Sequence, residues 1–335
     1  MSKVTGVKSV DFKITAYGYG VVNWNGPTDL EIIIDNKSKK VTNHSMPKLR
    51  GYTNIRGYWD DGKPQFKRPE EVDFSKTPLY ISQNCIRHHL FKDEAINLQT
   101  KDLLEHIINH MDNFLCSITA LVRGYVIPSK EFKRTSPLLL TDFEEVKMMG
   151  NFEQLGNSGS KDKKETKTGK EASTAIFSKT TFGDTSYEGY GSISIEQLQF
   201  ISLSADYGRE AMKIDNHKDG AKLAETLTSY IQNMLGNKQA KAEYHQNYVR
   251  QGAIFTHGEA GILLNEEAID TLVEITLDLF RNLVIKQAKG YMYVDSIKVD
   301  YNDGSTAKDM MRIKHSPMNV APQKNSQYAV YFKAV

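Results

Sequence analysis

Residues 7–24 read VKSVDFKITAYGYGVVNW, and this stretch sets the period of the fold. Val10, Phe12 and Ile14 alternate with Asp11 and other polar residues, so apolar side chains fall on one face and polar side chains on the other. This period of two predicts a β-strand with one buried face. The YGYG within it lacks the third glycine of a dinucleotide-binding fingerprint, and the simpler interpretation is a strand with a bend.

Strand and helix periods alternate along the rest of the chain. Period-two runs predict strands, and apolar residues at i, i+3, i+4 and i+7 predict helices. The predicted strands are 121–127, 193–203, 291–303 and 327–335, and 252–264 is predicted to be a strand or a tight hairpin broken by Gly258. The predicted helices are 82–91, 100–122, 221–235 and 265–290. In the last helix Asn265 is the cap, the apolar stripe includes Val284, and Gly290 ends the helix.

This order predicts an α+β fold of the ferredoxin-like or RNA-recognition-motif type, a single domain over residues 1–335 with an antiparallel sheet. Two polar insertions interrupt it, at 25–78 and 129–192. Within the second, the tract 160–173 has almost no apolar residues and predicts a mobile loop, because it cannot bury enough surface to offset its ordering entropy. The flanks GNFEQLG and FSKTTFGDTSY predict the two arms of a long hairpin.

The composition is that of an ordinary soluble chain, with 39% apolar and 25% charged residues. A net charge of +2 argues against indiscriminate nucleic-acid binding but leaves room for a local basic groove. Two cysteines exclude a disulfide framework and favour the cytoplasm. No run approaches the ~20 apolar residues of a membrane helix, and the N-terminus does not have the pattern of a secretory signal.

Residues 81–91, ISQNCIRHHLF, predict an amphipathic helix capped by Ser82. Its polar side consists of amides and cations: Gln83, Asn84, Arg87 and His88. Such groups bind phosphates and sugars, and a helix N-terminus adds donors of its own. The polar side of this helix is therefore a candidate nucleic-acid contact.

Three segments contain residues that could instead bind a metal or catalyse a reaction. Cys85 and His89 have i, i+4 spacing but no matching second ligand pair, and HIINH at 106–110 lacks the glutamate of HExxH. Cys85 falls on the apolar side, where an inert thiol is expected, so no metal or cofactor is predicted. The cluster at 141–145, TDFEE, leaves open Mg²⁺-dependent phosphodiester cleavage, although such a run is also typical of a helix start.

Aromatic and basic residues are interleaved in PKLRGYTNIRGYWDDGKPQFKRP at 47–69. Rings stack on bases while cations meet phosphates, which indicates a nucleic-acid surface. The alternative is an exposed insertion held down by its aromatics. In the hairpin, Phe152, Phe177 and Phe182 are candidate wedges between bases, unless they pack back onto the domain.

Eight segments together resemble the crRNA-binding backbone subunit of a CRISPR type I Cascade complex, in the RAMP superfamily and closest to the minimal I-F variant. They are VVNWNGP (21–27), PKLRGYTN (47–54), PLYISQNCIRHHLF (78–91), KRTSPLLLTDF (133–143), GNFEQ (150–154), FSKTTFGDT (177–185), YGSISIEQLQFISL (190–203) and QAKGYMYVD (287–295). They extend from the first strand to a late one, so the resemblance covers most of the chain.

The resemblance implies a palm of RNA-recognition-motif type with fingers at 25–78 and a thumb at 129–192. It implies a non-catalytic subunit of an antiviral ribonucleoprotein, with copies that stack in a helical filament along the guide RNA and expose kinked base segments for pairing with target DNA. Other partners would be the subunits that cap the guide ends and a recruited helicase-nuclease. Backbone contacts would keep the grip independent of sequence.

Applied residue by residue, the resemblance implies RNA contacts in four places. These are Arg50 and Asn54 in the fingers; Gln83, Asn84, Arg87 and His88 on the helix; Lys133, Arg134, Thr135 and Ser136 at the thumb base; and Asn151, Phe152, Lys179, Thr180 and Phe182 in the thumb. No residue is assigned a catalytic role. The alternatives are a metal-dependent ribonuclease of the same superfamily, using Asp142, Glu144 and Glu145, and a general single-strand-binding protein.

Overall fold

The computed structural model describes residues 4–20, 22, 80–92, 107–146, 183–208, 210–287, 290–304 and 320–335, together with the backbone of six further strands. In chain order the strands are β1 (Ser9–Gly20), β2 (Thr28–Ile34), β3 (Lys37–Asn43), β4 (Ile55–Asp60), β5 (Lys63–Phe66), β6 (Tyr80–Ile81), β7 (Tyr125–Ile127), β8 (Phe132–Arg134), β9 (Leu138–Leu140), β10 (Phe143–Glu145), β11 (Phe152–Ser158), β12 (Ala175–Thr181), β13 (Asp184–Ser194), β14 (Phe200–Ser202), β15 (Ala242–Arg250), β16 (Glu259–Leu264), β17 (Val284–Gln287), β18 (Gly290–Asn302) and β19 (Phe332–Ala334).

In the described part of the chain the helices are fewer than the strands. They are α1 (Gln83–Leu90), α2 (Met111–Leu115), α3 (Ile195–Gln199), α4 (His217–Leu235) and α5 (Glu266–Arg281), with a π-helix at Thr119–Arg123 and a 3₁₀ turn at Ala205–Tyr207.

One antiparallel sheet organises the fold. Its strand order is β17-β18-β1-β13-β10-β6, and β9 also pairs with β13. β1 lies between β18 and β13, and Val10, Phe12 and Ile14 are fully buried on its inner face, as the alternation predicts. The predicted mixed α and β fold with an antiparallel sheet is therefore confirmed.

The core lies between the inner face of this sheet and the helices. The rings of Phe12 and Phe280 of α5 are 5.0 Å apart, centroid to centroid. Gly191 of β13 makes room for Phe12, because a Cβ at that position would lie 2.2 Å from the ring. Small residues on one strand thus allow large ones on its neighbour to fill the core without voids.

Asp11 departs from the predicted polar outer face because it is fully buried. Its Oδ1 accepts a hydrogen bond from Ser192 Oγ (2.6 Å), and its Oδ2 accepts one from Asn302 Nδ2 (3.0 Å). Both partners come from the strands on either side of β1. Alternation predicts which face a residue occupies but not whether that face is covered.

A β-bulge interrupts the pairing of β1 with β18. Thr15 lies opposite Ser296, whereas the next residue, Ala16, lies opposite Val294. Asp295 is therefore the extra residue of β18. Beyond it, even-numbered residues of β18 occupy the face that odd-numbered residues occupy before it.

A smaller antiparallel sheet has the order β14-β16-β15-β19, and α4 packs against β15. The helix predicted at 221–235 is confirmed within α4, and strands are confirmed at 259–264 and at 332–334 within the two predicted ranges.

The single strand predicted at 193–203 is wrong in its middle. β13 ends at Ser194, α3 occupies the next five residues, and β14 begins at Phe200. Ser194 is the N-cap of α3, since its Oγ accepts from Gln197 N at 3.4 Å. The cap diverts the chain from strand to helix although apolar residues continue on both sides.

The last helix ends earlier than predicted. Asn265 Oδ1 accepts from Ala268 N at 2.9 Å, so the predicted cap is confirmed. The C-cap, however, is Asn282 and not Gly290. Val284, predicted in the apolar stripe of this helix, starts β17 and is 40% exposed.

The helix predicted at 100–122 is interrupted. Residues 107–109 are helical and α2 follows, but a bend at 116–117 separates it from the π-helix Thr119–Arg123. The strand predicted at 121–127 is therefore only β7, at its far end. Residues 93–106 lie outside the described part of the chain.

The two predicted insertions contain separate hairpins. β2 pairs with β3 and β4 with β5 inside 25–78, while β11 pairs with β12 inside 129–192. The second range also contains β9, β10 and most of β13, which belong to the main sheet. The tract 160–173, predicted to be mobile, lies outside the described residues.

Candidate nucleic-acid interface

α1 begins at a doubly capped N-terminus. Ser82 has an extended backbone (φ −65°, ψ 147°), and its Oγ accepts from Cys85 N at 3.2 Å, which confirms the predicted cap. Asp142 Oδ1 accepts from Gln83 N at 2.8 Å. Two first-turn donors that a phosphate could use are therefore already engaged, so the side chains of α1, not its N-terminus, are left to bind a ligand.

The side chains of α1 divide as the amphipathic pattern predicts. The buried ones are Cys85, Ile86 and Leu90. The exposed ones are Gln83, Asn84 and His88. Two amides and an imidazole thus form a polar stripe, which we call the α1 stripe.

Arg87 lies beside this stripe but is half-buried. Its Nη1 donates to Ser136 Oγ (3.0 Å), and its Nη2 donates to the carbonyl oxygen of Leu138 (2.5 Å). Ser136 Oγ in turn donates to Leu138 O at 2.8 Å. The predicted residues Arg87 and Ser136 are therefore brought together, and they attach α1 to the start of β9.

Arg123 is a cation that sequence reasoning missed. It is half-buried at the end of the π-helix, and Gly124 follows it with φ 74°. Burial lowers the pKa of Arg87, the positive charge of Arg123 lowers it further, and burial also lowers the pKa of Arg123. Among the described residues no carboxylate raises either pKa, so the two guanidinium groups create a positive potential beside the α1 stripe. The sequence signal was only an arginine before a glycine.

The thumb-base residues alternate along β8. Lys133 and Thr135 are exposed, whereas Phe132 and Arg134 are buried. Lys133 N donates to Glu210 O at 2.9 Å, so the backbone of this exposed residue is held in place. Lys133 and Thr135 are thus placed for contact with a ligand.

Arg134 is placed differently from the predicted phosphate contact. Its Nε, Nη1 and Nη2 donate to the carbonyl oxygens of Leu121 (3.1 Å), Phe200 (3.1 Å) and Leu198 (3.3 Å). Burial lowers its pKa to about 10. In this conformation Arg134 joins three backbone segments inside the protein and does not reach a ligand at the surface.

The remaining predicted contacts cannot be placed by their side chains. Arg50, Asn54, Asn151 and Phe182 lie outside the described residues. For three thumb residues the backbone gives the register: Phe152 pairs with Thr181, Glu153 with Thr180, and Gln154 with Lys179. The predicted contacts Phe152, Lys179 and Thr180 therefore lie near one end of the β11–β12 hairpin.

The carboxylates of the ribonuclease alternative do not converge. Asp142 caps α1, and Glu145 Oε1 accepts from Thr185 Oγ1 at 3.1 Å. The segment is the strand β10 and not a helix start, so the adjacent Glu144 and Glu145 face opposite sides of the sheet. Within the described ranges, no three His, Cys, Asp or Glu side chains are grouped so that they could hold a metal ion.

Cys85 is buried in the core, as expected for an inert thiol. In the part of the chain that the structure describes, no helix has the length and apolar character to cross a membrane.

The fold and site define a mixed α and β protein whose exposed surface combines amides, an imidazole and a lysine, with two half-buried guanidinium groups beside them, the side chains typical of contacts with a nucleic-acid backbone. Residues 6–335 match the model of the family described as "Type I-Fv CRISPR-associated protein Cas7fv-like". The chain belongs to this family, which indicates a crRNA-binding backbone subunit of a type I CRISPR complex. No curated protein sequence matches it significantly.

Proposed function

We propose that this protein is a non-catalytic backbone subunit of a cytoplasmic CRISPR type I-F variant surveillance complex, with several copies stacked along one guide RNA. The observation that carries the proposal is the family match over residues 6–335. The palm would be of the RNA-recognition-motif type found in the RAMP superfamily, with fingers at 25–78 and a thumb at 129–192.

The α1 stripe, Lys133 and Thr135 contact the sugar-phosphate backbone in this proposal. Arg87 and Arg123 supply the positive potential that attracts phosphates, and the bond from Arg87 to Ser136 fixes the orientation of the helix. Amides and cations of this kind carry no base preference, so the surface accepts any guide sequence.

The hairpins contribute the shape of the bound guide. Arg50 and Asn54 in the fingers add phosphate contacts, and Asn151, Phe152, Lys179, Thr180 and Phe182 in the thumb kink the strand. An aromatic wedge between two bases is compatible with any sequence, because every base has a stacking face. Regular kinks leave short runs of bases free to pair with target DNA.

Specificity then resides in base pairing between guide and target. Other subunits cap the guide ends, and a separate helicase-nuclease cleaves the DNA after recruitment. The protein itself binds the guide RNA and orients it, and each stacked copy does the same.

The proposal is tested with labelled guide-length RNA in fluorescence anisotropy across a salt series. Arg123→Gln and Arg87→Ala should weaken binding to all RNA sequences alike and reduce the salt slope by about 1 each. Gln83→Ala with His88→Ala should weaken binding with little change in slope. Lys222→Gln, an exposed cation on α4, is the matched control. Thermal unfolding of the Arg87→Ala variant is measured as well, because Arg87 also bonds Ser136 and Leu138 and its loss could lower stability.

Two results would contradict the proposal. Equal affinity for DNA and RNA, with each copy binding independently, indicates a general single-strand-binding protein. Mg²⁺-dependent RNA cleavage that disappears in a folded Asp142→Ala variant indicates a ribonuclease.

A further inference from the structure

A groove runs between α4 and β15, at the smaller sheet. Its volume is about 520 Å³, within the roughly 300–1,000 Å³ typical of ligand-binding sites. Ala221, Ala224 and Glu225 line it on α4, and Tyr244 and Tyr248 line it on β15. We call it the α4–β15 groove. Of the described residues, none from α1, β8 or the main sheet lines it, so the groove is separate from the candidate nucleic-acid interface.

The α4–β15 groove follows an open edge of the smaller sheet. β16 pairs with one side of β15 along 242–245 and at Tyr248, whereas on the other side β19 pairs only with 248–250. Among the described strands, none pairs with residues 242–247 on that outer side. An unpaired strand edge is a template for a further strand.

The backbone of β15 presents hydrogen-bonding groups to this groove. Ala242 N donates to Thr228 Oγ1 of α4 at 2.9 Å, and Thr228 Oγ1 donates to Ala242 O at 3.3 Å, so the backbone of Ala242 points outward. Because this direction repeats every second residue, the N–H and C=O groups of Tyr244 and Gln246 point outward as well. In the described part of the chain no group bonds them from that side.

Two contacts between α4 and β15 hold the groove open. The ring of Tyr244 packs against Gly220, where a Cβ would lie 2.5 Å from the ring. Thr228, two turns further along the helix, bonds the strand backbone. Ala221 and Ala224, which lie between these contacts, are too small to fill the gap. The space therefore exists without an occupant.

We propose that the α4–β15 groove binds an extended segment of another protein, which adds to β15 as a further strand. Main-chain hydrogen bonds to Tyr244 and Gln246 supply affinity, and the groove takes every second side chain of the segment. The same edge already accepts a strand, because β19 pairs with it antiparallel and Val335 N donates to Asn247 O at 3.1 Å just beyond the last pair. The incoming segment continues that line.

The charge of the groove favours a basic segment. Lys241 bonds Glu243, so these two charges offset each other. Glu225 is exposed on α4 and forms no ion pair among the described residues. A lysine or arginine of the segment pairs with Glu225, whereas the phosphates of a nucleic acid are repelled by it. The inference goes beyond the proposed function, since it requires no RNA.

The test measures the fluorescence anisotropy of a fluorescein-labelled peptide, TVTRTVT, titrated with the intact chain, both free and bound to guide RNA. The wild type should bind the peptide saturably, and binding should slow hydrogen exchange at Tyr244 and Gln246. Gln246→Pro removes one outward N–H and should bind about five-fold more weakly, or more. Gln246→Thr keeps the N–H and should bind like the wild type.

Two further comparisons test the groove and its charge. Ala221→Leu fills the groove and should weaken peptide binding about five-fold or more, whereas Lys222→Leu, at the next residue and outside the groove, should not. Glu225→Gln should bind TVTRTVT about two- to three-fold more weakly but leave binding of TVTQTVT unchanged. Thermal unfolding checks that each variant is folded.

Four outcomes overturn the inference. The first two are unsaturable peptide binding by the wild type and wild-type affinity in both folded variants, Gln246→Pro and Ala221→Leu. The third is competition between guide RNA and the peptide, which places the groove in the RNA interface. The fourth is self-association of the wild type without RNA that Gln246→Pro abolishes, because the edge then pairs with a second copy. Failure to bind guide RNA with peptide binding intact contradicts only the proposed function.

Discussion

Asp11 of β1 and Asp300 of β18 lie directly opposite each other in an antiparallel pair, and both side chains are fully buried. Asp300 Oδ1 accepts from Ala321 N at 2.9 Å, so the pair also ties a late segment of the chain to the main sheet. Burial raises the pKa of Asp11 and the negative charge of Asp300 adds to this, while hydrogen bonds from Ser192 and Asn302 oppose it. A carboxyl group buried as Asp11 is, beside a second carboxylate, should make stability depend on pH.

The first prediction concerns this dependence. Because the folded pKa of Asp11 lies above the unfolded value, the folded protein binds more protons between the two, and the stability that Asp11 contributes falls as pH rises from about 4 through the folded pKa. Asp11→Asn removes this pH-dependent contribution to stability. Urea unfolding at several pH values should show that the free energy of unfolding of the variant increases relative to that of the wild type as pH rises. A constant difference across that range would show that Asp11 does not titrate in this way.

Arg134 should matter for stability more than for RNA binding. Arg134→Ala leaves three buried carbonyl oxygens without their donor, and we expect a loss of about 3–5 kcal/mol in the free energy of unfolding. Lys133→Ala, at the exposed neighbour, should change stability by less than about 0.5 kcal/mol. Chemical denaturation measures both. A stable Arg134→Ala variant with weak RNA binding would instead support the original contact prediction.

Ser82 and Asp142, the two caps of α1, should affect the stability of this helix and not a chemical reaction. Ser82→Ala and Asp142→Ala each remove an acceptor from the first turn, and each should cost about 1 kcal/mol. Hydrogen exchange should show faster opening of residues 83–86 in both variants. Asn84→Ala, in the same turn but without a cap bond, is the control. Unchanged exchange in Asp142→Ala would mean that its bond to Gln83 N does not form in solution.

Thiol reactivity should be low and strongly dependent on pH. Burial, and to a lesser extent the nearby Asp112, raise the pKa of Cys116 to about 11. The thiolate is the reactive form, so labelling of the native protein should accelerate about ten-fold per pH unit below that value. Cys116→Ser isolates the signal of the buried Cys85, and denatured protein gives the reference rate. Fast labelling at neutral pH would show that Cys116 ionises readily.

Local signals predicted much of the fold. The alternation in β1, the caps at Ser82 and Asn265 and the amphipathic pattern of α1 each depend on neighbours in sequence, and each matches the structure. The cap at Ser194 was also readable, since Ser194 and Gln197 have the S-x-x-Q spacing of a capping box. Apolar residues on both sides of it favoured a continuous strand instead.

The rest of the site depends on contacts that sequence does not encode locally. Arg87 and Arg134 look equivalent as cations, yet one borders the surface and the other is buried among carbonyls from three segments. Only the folded chain brings Arg123 near Arg87 or leaves the outer edge of β15 open beside α4. Burial and register, which separate a binding residue from a structural one, follow from pairing over long sequence distances.

The bulge at Asp295 has a consequence for how the gene can vary in length. Since Asp295 is the unpaired residue, its deletion would restore a regular ladder in which Tyr293 and the former Ser296 are still two positions apart on one face. A codon lost there turns no side chain over, whereas loss of the Met292 codon makes Tyr291 and Tyr293 neighbours in sequence, so that one of the two rings faces inward. Position 295 is thus a place where natural variants can shorten by one residue and keep both halves of the sheet surface intact.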